Sequence, residues 1–585
     1  MSFSQSTKHF LLAFVAIMTV NGYSESKITF NVDGANTVIS QEIFGLLMER
    51  LGRQWTGSNN SGIFVGTSST IPNTDGMRND VIEGFKECGV GAVEWPGGCA
   101  ANGYNWSTNK KPTNDVGVDR FIEFCKLTGA EAIIAGKPGP TDVASNYAFA
   151  QYILDSLKYP LKWFKIGNEI WGGCGTNYTS TFKTIFTDNY NKLKPLMSTE
   201  NGKNLKLIAA ANAIEGGNYN WITNYYSDLG NMMEAIEFHD YVYHTNWSSS
   251  NPSTDNYWQI MNDVLVGDVH DHLINSIIPK MNASDPSKRV KVCLDEWGDW
   301  LQGDNWMQTV TVMDAISAGA HLNQFVANAD RVGICCLAQG VSVIHSIINI
   351  NTNGVMVKTP AFYVFKLYKP HHTNNAKFLP ITSSNYENTN NVPAVNAAAS
   401  VDDSGYVNIS FVNTDLSATR HVTVTLTSSA GSYTVKSADV VTGQAYTSTN
   451  PFGEAEQVNI KTLDASNYSI NGKSLTATLP SKSIVMIRLK SPVAIQHGCY
   501  LKSRVEVFSV KAGSNGKILV TSSVIQKTPI TISLYSAEGR ILLDRTTGNF
   551  KNGICSLGCH IGKGIYLVKI TGDNINFTKQ VVVNR

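Results

Sequence analysis

The chain has 585 residues, more than one hydrophobic core usually organises, so its length predicts two or three domains. Apolar residues make up 42% of the sequence, which is enough to bury such cores. The 47 basic and 46 acidic residues almost balance, and the formal charge of +1 excludes the broad basic field that binds nucleic acid or an anionic membrane.

An apolar run stands near the start of the chain. Lys8 and His9 precede the segment FLLAFVAIMTV, and small and polar residues follow it. The run has the length of the apolar part of a signal peptide and is shorter than the roughly 20 residues that span a bilayer. It predicts a secretory signal over residues 1–22 and a secreted or cell-surface protein. A buried first helix or a lipid-facing anchor is the alternative.

From about residue 40 to 370, short apolar runs alternate with longer helical stretches. This alternation is typical of βα units around a parallel sheet. Eight runs are strand candidates, so the pattern predicts an α/β protein with a (β/α)₈ TIM barrel as its main domain. The runs are residues 43–49, 90–98, 130–136, 162–169, 205–212, 235–244, 290–297 and 330–338.

Acidic residues end two of these candidate strands. Glu169 ends the fourth and Glu296 ends the seventh, at the strand ends where a barrel carries its reacting groups. Cleavage of a glycosidic bond with retention needs two carboxyl groups about 5 Å apart, one protonated and one ionised. Glu169 and Glu296 are therefore the candidate catalytic residues of a retaining glycoside hydrolase. A single glutamate at a strand end is more often an ordinary surface residue.

The character of the chain changes after Pro370. Alternating β-branched strands with Ser, Thr, Asn and Gly turns predict a β-sandwich over residues 371–492, which the similar segment at residues 25–39 is expected to join. The barrel is then an insertion within the sandwich. A second all-β stretch over residues 495–585 predicts a small tail domain.

Five segments carry a resemblance to a known family: IFGLLMERLGR, VEWPGGCAANGYNW, WFKIGNEIWG, LDEWGDW and DRVGICCLAQGVSVIHSI. In this order they resemble the signature segments of glycoside hydrolase family 51, the α-L-arabinofuranosidases, over about residues 27–490. The resemblance implies a (β/α)₈ barrel with a β-sandwich built from both chain ends. It also implies a retaining mechanism with no metal or organic cofactor.

The resemblance assigns roles to single residues. Glu169 resembles the general acid/base, and Glu296 resembles the nucleophile that forms the glycosyl-enzyme intermediate. Asn168 resembles the residue that hydrogen-bonds the sugar 2-hydroxyl, an interaction that strengthens in the transition state. An Asn that caps the next helix fits the local sequence equally well.

Three more residues are candidate substrate contacts. Glu49 resembles a family residue that holds sugar hydroxyls, with a salt bridge to Arg50 or Arg53 as the alternative. His244 resembles the strand-six histidine near the nucleophile, with a satisfied core histidine as the alternative. Trp297, together with Trp300, suits an apolar wall beside the sugar ring, although Trp residues at barrel rims also simply pack.

The chain departs from the family pattern in its charges. Glu94 stands where the family usually has Arg, directly before WPGG, and is a further candidate substrate contact. Another carboxylate there is expected to crowd the site and raise carboxyl pKa values. Arg50 and Lys358, which replace a usual His and Gln, are the candidate compensating cations. Asn246 replaces a frequent Tyr, and together these changes leave the exact sugar open.

The tail resembles another known element. Its segments SLYSAEGRIL and GIYLVKITGDNINFTKQVVV are similar to the C-terminal sorting domain of type IX secretion. This resemblance implies the type IX secretion machinery as a partner and removal of the tail after export. An accessory carbohydrate-binding β-sandwich is the alternative.

The leading functional hypothesis is an exo-acting α-L-arabinofuranosidase that acts on plant polysaccharides or oligosaccharides. An endo-β-glucanase or other glycanase with the same carboxylates is one alternative, and a catalytically weak secreted glycan-binding protein is another. Family relatives are often oligomers, so a homo-oligomer is a further expectation.

Ten cysteines show no metal-ligand spacing, and export permits disulfides without requiring them. Cys99 and Cys174 each follow a Gly-rich turn beside a signature segment, and Cys555 and Cys559 are close in the tail. Either pair is a disulfide candidate.

Overall fold

The computed structural model describes residues 25–491 apart from residues 58–60, 214–216, 245–252 and 302–307, together with strands between residues 508 and 583. Its contacts divide the chain into two compact units, Met1–His497 and Gly498–Arg585. The predicted signal segment, residues 1–22, lies outside the described residues. In the described part, no helix is both long and apolar enough to cross a membrane.

Eight parallel strands, numbered β1 to β8, close into a barrel in chain order. Each overlaps one of the eight runs predicted from the sequence. The prediction of a (β/α)₈ barrel is therefore confirmed. The strands are Gly45–Leu47, Ala92–Trp95, Glu131–Gly136, Trp163–Ile166, Lys206–Ala209, Ala235–His244, Lys291–Leu301 and Val332–Ala338.

Amphipathic helices connect the strands and cover the outside of the barrel. In the helix Asn79–Cys88, Val81, Ile82 and Phe85 are buried on one face, and Gly89 ends the helix in the left-handed region with φ 74°. The α-helices of seven or more residues are Asn79–Cys88, Val118–Thr128, Val143–Gln151, Phe182–Leu193, Asn220–Asp228, Thr254–Leu265, Ile278–Ser284, Val312–Ala327 and Pro360–Tyr368.

Side chains that point into the barrel form two layers of opposite character. The lower layer is apolar and includes Leu47, Ala92, Ile133, Trp163, Ile208, Ala235, Cys293 and Ile334. Two residues further along four of the strands, a second layer is charged and fully buried. It consists of Glu94 on β2, Lys165 on β4, Glu237 on β6 and Asp295 on β7.

A β-sandwich follows the barrel in the same unit. The strand Ser26–Asn31, the first described strand of the unit, pairs in parallel with Arg420–Thr427 and antiparallel with Ile381–Asn385, so it lies in the first sheet. In Arg420–Thr427 alternate side chains are buried, as in a sheet with one covered face. In spatial order the first sheet contains Ile381–Asn385, Ser26–Asn31, Arg420–Thr427, Ser474–Leu479 and Tyr468–Asn471. The second contains Lys377–Phe378, Val395–Val401, Tyr406–Asn413, Ser483–Lys490, Thr434–Thr442 and Ile460–Thr462.

The helix Val312–Ala327 joins the barrel to the sandwich. Its residues from Val312 to Val326 are buried, and a capping box between Thr311 and Asp314 fixes its first turn. Gly319 lies against Val412 and Ile484 of the second sheet.

The second unit is all-β. Its described strands form one three-stranded and one four-stranded sheet. They are Phe508–Ala512, Ile518–Ser522, Ile530–Ser536, Ile541–Thr547, Ile554–Leu557, Gly564–Gly572 and Ile575–Val583. The side chain of Cys555 and the whole of Cys559, a disulfide candidate in the sequence, lie outside the described part.

Candidate active site

Strand β6 supplies three inward side chains in a row. Glu237, His239 and Tyr241 are alternate residues, so they share one face of the strand and rise from the charged layer to the mouth of the barrel. His239 Nε2 lies 3.0 Å from Glu237 Oε1, and the Tyr241 hydroxyl donates a hydrogen bond to Glu296 Oε2 at 2.9 Å. The row therefore links the interior of the barrel to a predicted catalytic carboxylate.

Strand β7 contains a bulge at Asp295. Leu294 pairs with Phe238 and Glu296 pairs with His239, so Asp295 is an extra residue on β7. Consecutive side chains of a regular strand point to opposite faces, and a bulge re-aims them. The bulge explains how neighbouring Asp295 and Glu296 both lie within 3.5 Å of His239.

Glu169 follows β4 in the left-handed backbone region, with φ 46°. This conformation is uncommon for a residue other than glycine and is typical of functional sites. The carboxylate Oε1 lies 3.1 Å from His239 Nδ1. Its Oε2 lies 3.6 Å and 3.4 Å from the sulfur atoms of Cys99 and Cys174, which form a disulfide.

Glu169 and Glu296 face each other across His239. One carboxylate oxygen of each glutamate and a ring nitrogen of His239 all lie within 4.8 Å of one another. The side chains of Glu169 and Glu296 are 21% and 11% exposed, so both reach solvent from a largely buried position. This spacing suits a retaining glycosidase, whose two carboxyl groups lie about 5–5.5 Å apart, rather than an inverting one, which separates them by about 6.5–9.5 Å.

The two carboxylates have different electrostatic environments. Burial raises the pKa of Glu296 to about 8; the charge of His239 opposes this rise, and the nearby Glu169 and Glu49 add to it. Burial also acts on Glu169, but the hydrogen bond and charge of His239 dominate and lower its pKa from the ordinary value. Burial lowers the pKa of His239, but Glu296, Asp295 and the other surrounding carboxylates raise it well above its ordinary value. In the free site, one proton is therefore shared by a coupled pair that contacts a protonated imidazole.

A cavity of about 610 Å³ opens above this pair. Tyr241, Tyr243 and Trp300 form an aromatic wall, in which the Trp300 ring meets each tyrosine ring edge-on at 5.3 Å. Aromatic faces of this kind pack against the apolar faces of sugar rings. The remaining lining residues are Glu169, Asp240, Gln259, Asp263, Asp268, Val269, His272 and Glu296.

Glu49 follows β1 close to Glu169 and Glu296. Its Oε1 accepts a hydrogen bond from the backbone N–H of Ala100 at 3.2 Å, and its Oε2 accepts one from Gln339 at 3.3 Å. Gly98 makes room for it, because a Cβ there would lie 2.5 Å from the Glu49 carboxyl carbon, and its φ of 49° also favours glycine. Burial raises the pKa of Glu49.

Comparison with known proteins agrees with this geometry. Residues 295–483 match the family model described as the α-L-arabinofuranosidase C-terminal domain. An intracellular exo-α-L-arabinofuranosidase from Bacteroides ovatus is 28% identical over 531 residues, which are 82% of this chain and 98% of that protein. A probable α-L-arabinofuranosidase C from Aspergillus clavatus is 24% identical over 77% of this chain and 95% of that protein.

A solved structure is similar over the same extent. The crystal structure of the GH51 arabinofuranosidase from Xanthomonas axonopodis pv. citri superposes with a TM-score of 0.70 and 27% identity, covering 80% of this chain and 100% of that one. The chain is a glycoside hydrolase. Its similarity to family 51 arabinofuranosidases extends over both the barrel and the sandwich.

The structure corrects the prediction that Glu94 contacts the substrate. Glu94 has no exposed surface, and its Oε1 lies 2.7 Å from Lys165 Nζ in the charged layer below the site. A sugar in the cavity cannot reach it. Lys165 also replaces the predicted compensating cations, because Arg50 pairs with Asp115 and Lys358 pairs with Glu87. Among the described ion pairs, Glu49 is paired with neither Arg50 nor Arg53, so the structure does not support the salt-bridge alternative for Glu49.

Two further site predictions are wrong in their residue. Trp297 has no exposed surface and packs on His321 and Phe325, so the aromatic wall contains Trp300 instead. His244 ends β6 opposite Leu301, five residues beyond the pair His239 and Glu296, or roughly 16 Å along the strand. The histidine near Glu296 is therefore His239. The side chain of His244 and the whole of Asn246 lie outside the described part.

Asn168 lies beneath Glu169 with no exposed surface. Its Oδ1 accepts a hydrogen bond from Lys165 at 2.8 Å, and its Nδ2 lies 3.6 Å from Cys174 Sγ. Lys165 thus occupies one of the two acceptor positions of the amide oxygen. The contact with a sugar hydroxyl stays a prediction.

Sequence reasoning missed His239, Tyr241 and Lys165. Alternation along residues 235–244 contains the signal for the first two, because Glu237, His239 and Tyr241 are the polar members of one strand face. Lys165 gave a weaker signal, a single cation inside the apolar run WFKIG. A lysine in a strand buried on both faces needs an anionic partner, and the candidate strands β2, β6 and β7 each contain an acidic residue, Glu94, Glu237 and Asp295.

Proposed function

We propose that the chain is an exo-acting α-L-arabinofuranosidase that releases terminal arabinofuranose with retention of configuration. The observation that carries the proposal is the pair Glu169 and Glu296, with oxygens within 4.8 Å of each other below a cavity of about 610 Å³. The arabinofuranosidase names of relatives that cover most of the chain support the sugar.

The proposed reaction has two steps. In the first, the ionised Glu296 attacks the anomeric carbon while the protonated Glu169 gives its proton to the leaving oxygen, which forms a glycosyl-enzyme and releases an alcohol. In the second, the ionised Glu169 takes a proton from water, and the resulting hydroxide displaces Glu296 from the sugar. Both carboxyl groups then return to their starting states.

The reaction needs its proton on Glu169, whereas the raised pKa of Glu296 favours that group in the free site. His239 connects the two, since its Nδ1 lies 3.1 Å from Glu169 and 3.5 Å from Glu296. The imidazolium gives its Nδ1 proton to Glu169 and receives one from Glu296. The Tyr241 hydroxyl then stabilises the ionised Glu296.

We further propose arabinose-bearing side chains of plant polysaccharides as the substrate. The aromatic wall of Tyr241, Tyr243 and Trp300 offers apolar contact to a sugar ring, and polar groups line the rest of the cavity. A cavity of this kind suits a terminal residue. An assay on arabinan and arabinoxylan that follows released arabinose against shortened backbone distinguishes exo from endo action.

We also propose that the enzyme is exported and that its tail is a type IX sorting domain. The apolar run near the start of the chain and the Cys99–Cys174 disulfide support export, because disulfides persist in oxidising compartments. Mass spectrometry of the mature protein tests both parts. Export predicts loss of residues 1–22 and of the tail beyond about residue 495, whereas an intact tail on exported protein contradicts the sorting role.

Turnover of a panel of aryl glycosides tests the main proposal. Wild type should release the chromophore from the α-L-arabinofuranoside, and Glu296→Ala should abolish release. Glu234→Ala is the matched control, because Glu234 lies just before β6 and its partly exposed carboxylate pairs only with Arg289 among the described ion pairs. The control should retain wild-type turnover.

Two results would contradict the proposal. Wild-type protein that leaves every furanoside intact would exclude the activity, and full activity of folded Glu296→Ala would exclude the assigned nucleophile. Preference for a glucoside would instead support the alternative hypothesis of a glucanase.

A further inference from the structure

A lysine lies at the centre of the charged layer inside the barrel. Lys165 Nζ lies 2.6 Å from Asp295 Oδ2, 2.7 Å from Glu94 Oε1 and 3.1 Å from Glu237 Oε1. It also donates a hydrogen bond to Asn168 Oδ1 at 2.8 Å. Three other strands therefore meet at this one ammonium group, which has no exposed surface.

Two of these acids continue toward the catalytic pair. Glu237 Oε1 lies 3.0 Å and Asp295 Oδ1 lies 3.5 Å from His239 Nε2. On the other side of the ring, His239 Nδ1 lies within 3.5 Å of both catalytic glutamates. The contacts thus run without a gap from Lys165 through two carboxylates and one imidazole to the reacting groups.

The cost of burying charge explains why a cation is needed here. An isolated carboxylate inside a protein is destabilised by several kcal/mol unless it is paired and hydrogen-bonded. Glu94, Glu237 and Asp295 have no exposed surface, and Lys165 contacts all three. Without this lysine, Glu237 and Asp295 would repel each other beside His239.

We propose that Lys165 is the positioning residue of the catalytic pair: it holds Glu237 and Asp295, which in turn hold the His239 ring with Nδ1 toward Glu169 and Glu296. The same ammonium group fixes the amide of Asn168, whose Nδ2 lies 3.6 Å from Cys174 Sγ. The proposal rests on the proposed roles of Glu169 and Glu296. Lys165 touches no substrate and acts through its neighbours.

The charge of Lys165 also acts directly on the pair. It lowers the pKa of both Glu169 and Glu296, so its removal should raise both values. Both limbs of the pH profile should then move to higher pH, because each carboxyl ionises later. The titratable or charged groups that face this cluster are Glu49 after β1, Glu94 on β2, Glu169 after β4, Glu237, His239 and Tyr241 on β6, Cys293, Asp295 and Glu296 on β7, and Cys336 on β8.

The test is the pH dependence of kcat and kcat/KM for Lys165→Met on an aryl α-L-arabinofuranoside. We expect both limbs to move upward by about one pH unit and kcat at neutral pH to fall about tenfold. KM should change little, because Lys165 does not reach the cavity. Lys162→Met is the matched control, since Lys162 lies just before the same strand, at its opposite end, and pairs with Glu42.

A second variant keeps the test informative if Lys165→Met does not fold. Lys165→Met leaves three buried acids without their cation, whereas Lys165→Met/Glu94→Gln also removes one acid and preserves the formal charge of the cluster. Glu94 does not contact His239 in the described structure, so the double variant should still show an upward movement of the limbs, smaller than that of Lys165→Met because one negative charge is also removed. Circular dichroism and thermal unfolding establish that each variant is folded.

The outcomes separate this inference from the proposed function. A wild-type enzyme without arabinofuranosidase turnover would contradict the proposed function itself. An active wild type, with limbs of a folded Lys165 variant that coincide with those of wild type and Lys162→Met, would overturn the positioning role alone. Upward movement in the Lys165 variants, with unchanged limbs in the control, supports it.

Discussion

The core of the sandwich and the upper layer of the barrel interior are both buried, but they contain opposite kinds of side chain. The sandwich core is apolar, with residues such as Ile409, Phe411 and Ile487 at 0% exposure. The barrel interior instead encloses Lys165 among three acids. Apolar burial stabilises the fold, whereas charged burial at best offsets its own desolvation.

This difference indicates that the charged side chains of the barrel interior serve function, whereas the apolar side chains of the sandwich core serve stability. A charged layer above an apolar layer is costly, and two of its members, Glu237 and Asp295, contact the His239 ring that contacts the proposed catalytic pair. We therefore expect changes in the barrel interior to alter the pH dependence of catalysis. Changes in the sandwich should alter only the free energy of unfolding.

The largest effect is expected at His239. His239→Asn removes the group that connects Glu169 and Glu296, so kcat should fall by roughly 10²–10³-fold. His371→Asn is the matched control, because His371 is equally buried and lies between the hydroxyls of Ser400 and Ser410 in the sandwich region. It should lower stability and leave kcat unchanged. Similar kcat values for the two variants would remove the distinction between the regions.

Tyr241→Phe should have the next largest effect. The hydrogen bond from the Tyr241 hydroxyl to Glu296 Oε2 stabilises the ionised carboxylate. Because the substitution removes this hydrogen bond, kcat should fall about tenfold or more. The pKa of Glu296, already raised to about 8, should rise further, and the alkaline limb of the pH profile should move to higher pH. An alkaline limb that stays in place or moves down would contradict the contact.

Removal of the Cys99–Cys174 disulfide should affect both stability and catalysis. The bond closes a separation of 75 residues, so Cys99→Ser/Cys174→Ser should lower the free energy of unfolding by about 2–5 kcal/mol. Because both sulfurs contact Glu169 Oε2, kcat should also fall by a few fold. Urea unfolding with and without a reductant measures the first effect. Wild type should respond to the reductant, whereas the double variant should not.

The smallest effect on catalysis is expected in the sandwich core. Ile409→Ala should destabilise the chain by about 2–5 kcal/mol through the cavity it leaves. Both limbs of the pH profile should stay in place, because Ile409 packs within the sandwich cluster. Thermal unfolding and a pH series measure the two quantities. A displaced limb would show that the sandwich controls the site.

The sequence was sufficient for the barrel and for the two strand-end glutamates. Parallel strands in a barrel bring their C-terminal ends together, so Glu169 and Glu296 were predictable from strand order and strand ends. The choice of His244 over His239 failed because the bulge at Asp295 and the β6 register, which decide what faces Glu296, are not visible in a pattern of residue types.

Glu94 and Trp297 failed for a related reason. A sequence shows that a residue is near a motif, but not which layer of the barrel its side chain enters. Glu94 enters the layer below the site, and Trp297 packs on Phe325 outside the cavity. Lys165 was hidden because its partners come from three other strands, and only the closed barrel brings them together.

Trapping the covalent intermediate tests the central claim most directly. Glu169→Ala should form the glycosyl-enzyme from an arabinofuranoside with a good leaving group but hydrolyse it slowly, because no base remains to activate water. Peptide mass spectrometry of the quenched enzyme should find one added pentosyl group on the peptide that contains Glu296. An adduct on any other residue, or turnover without an adduct and with inversion of configuration, would contradict the assignment of Glu169 and Glu296.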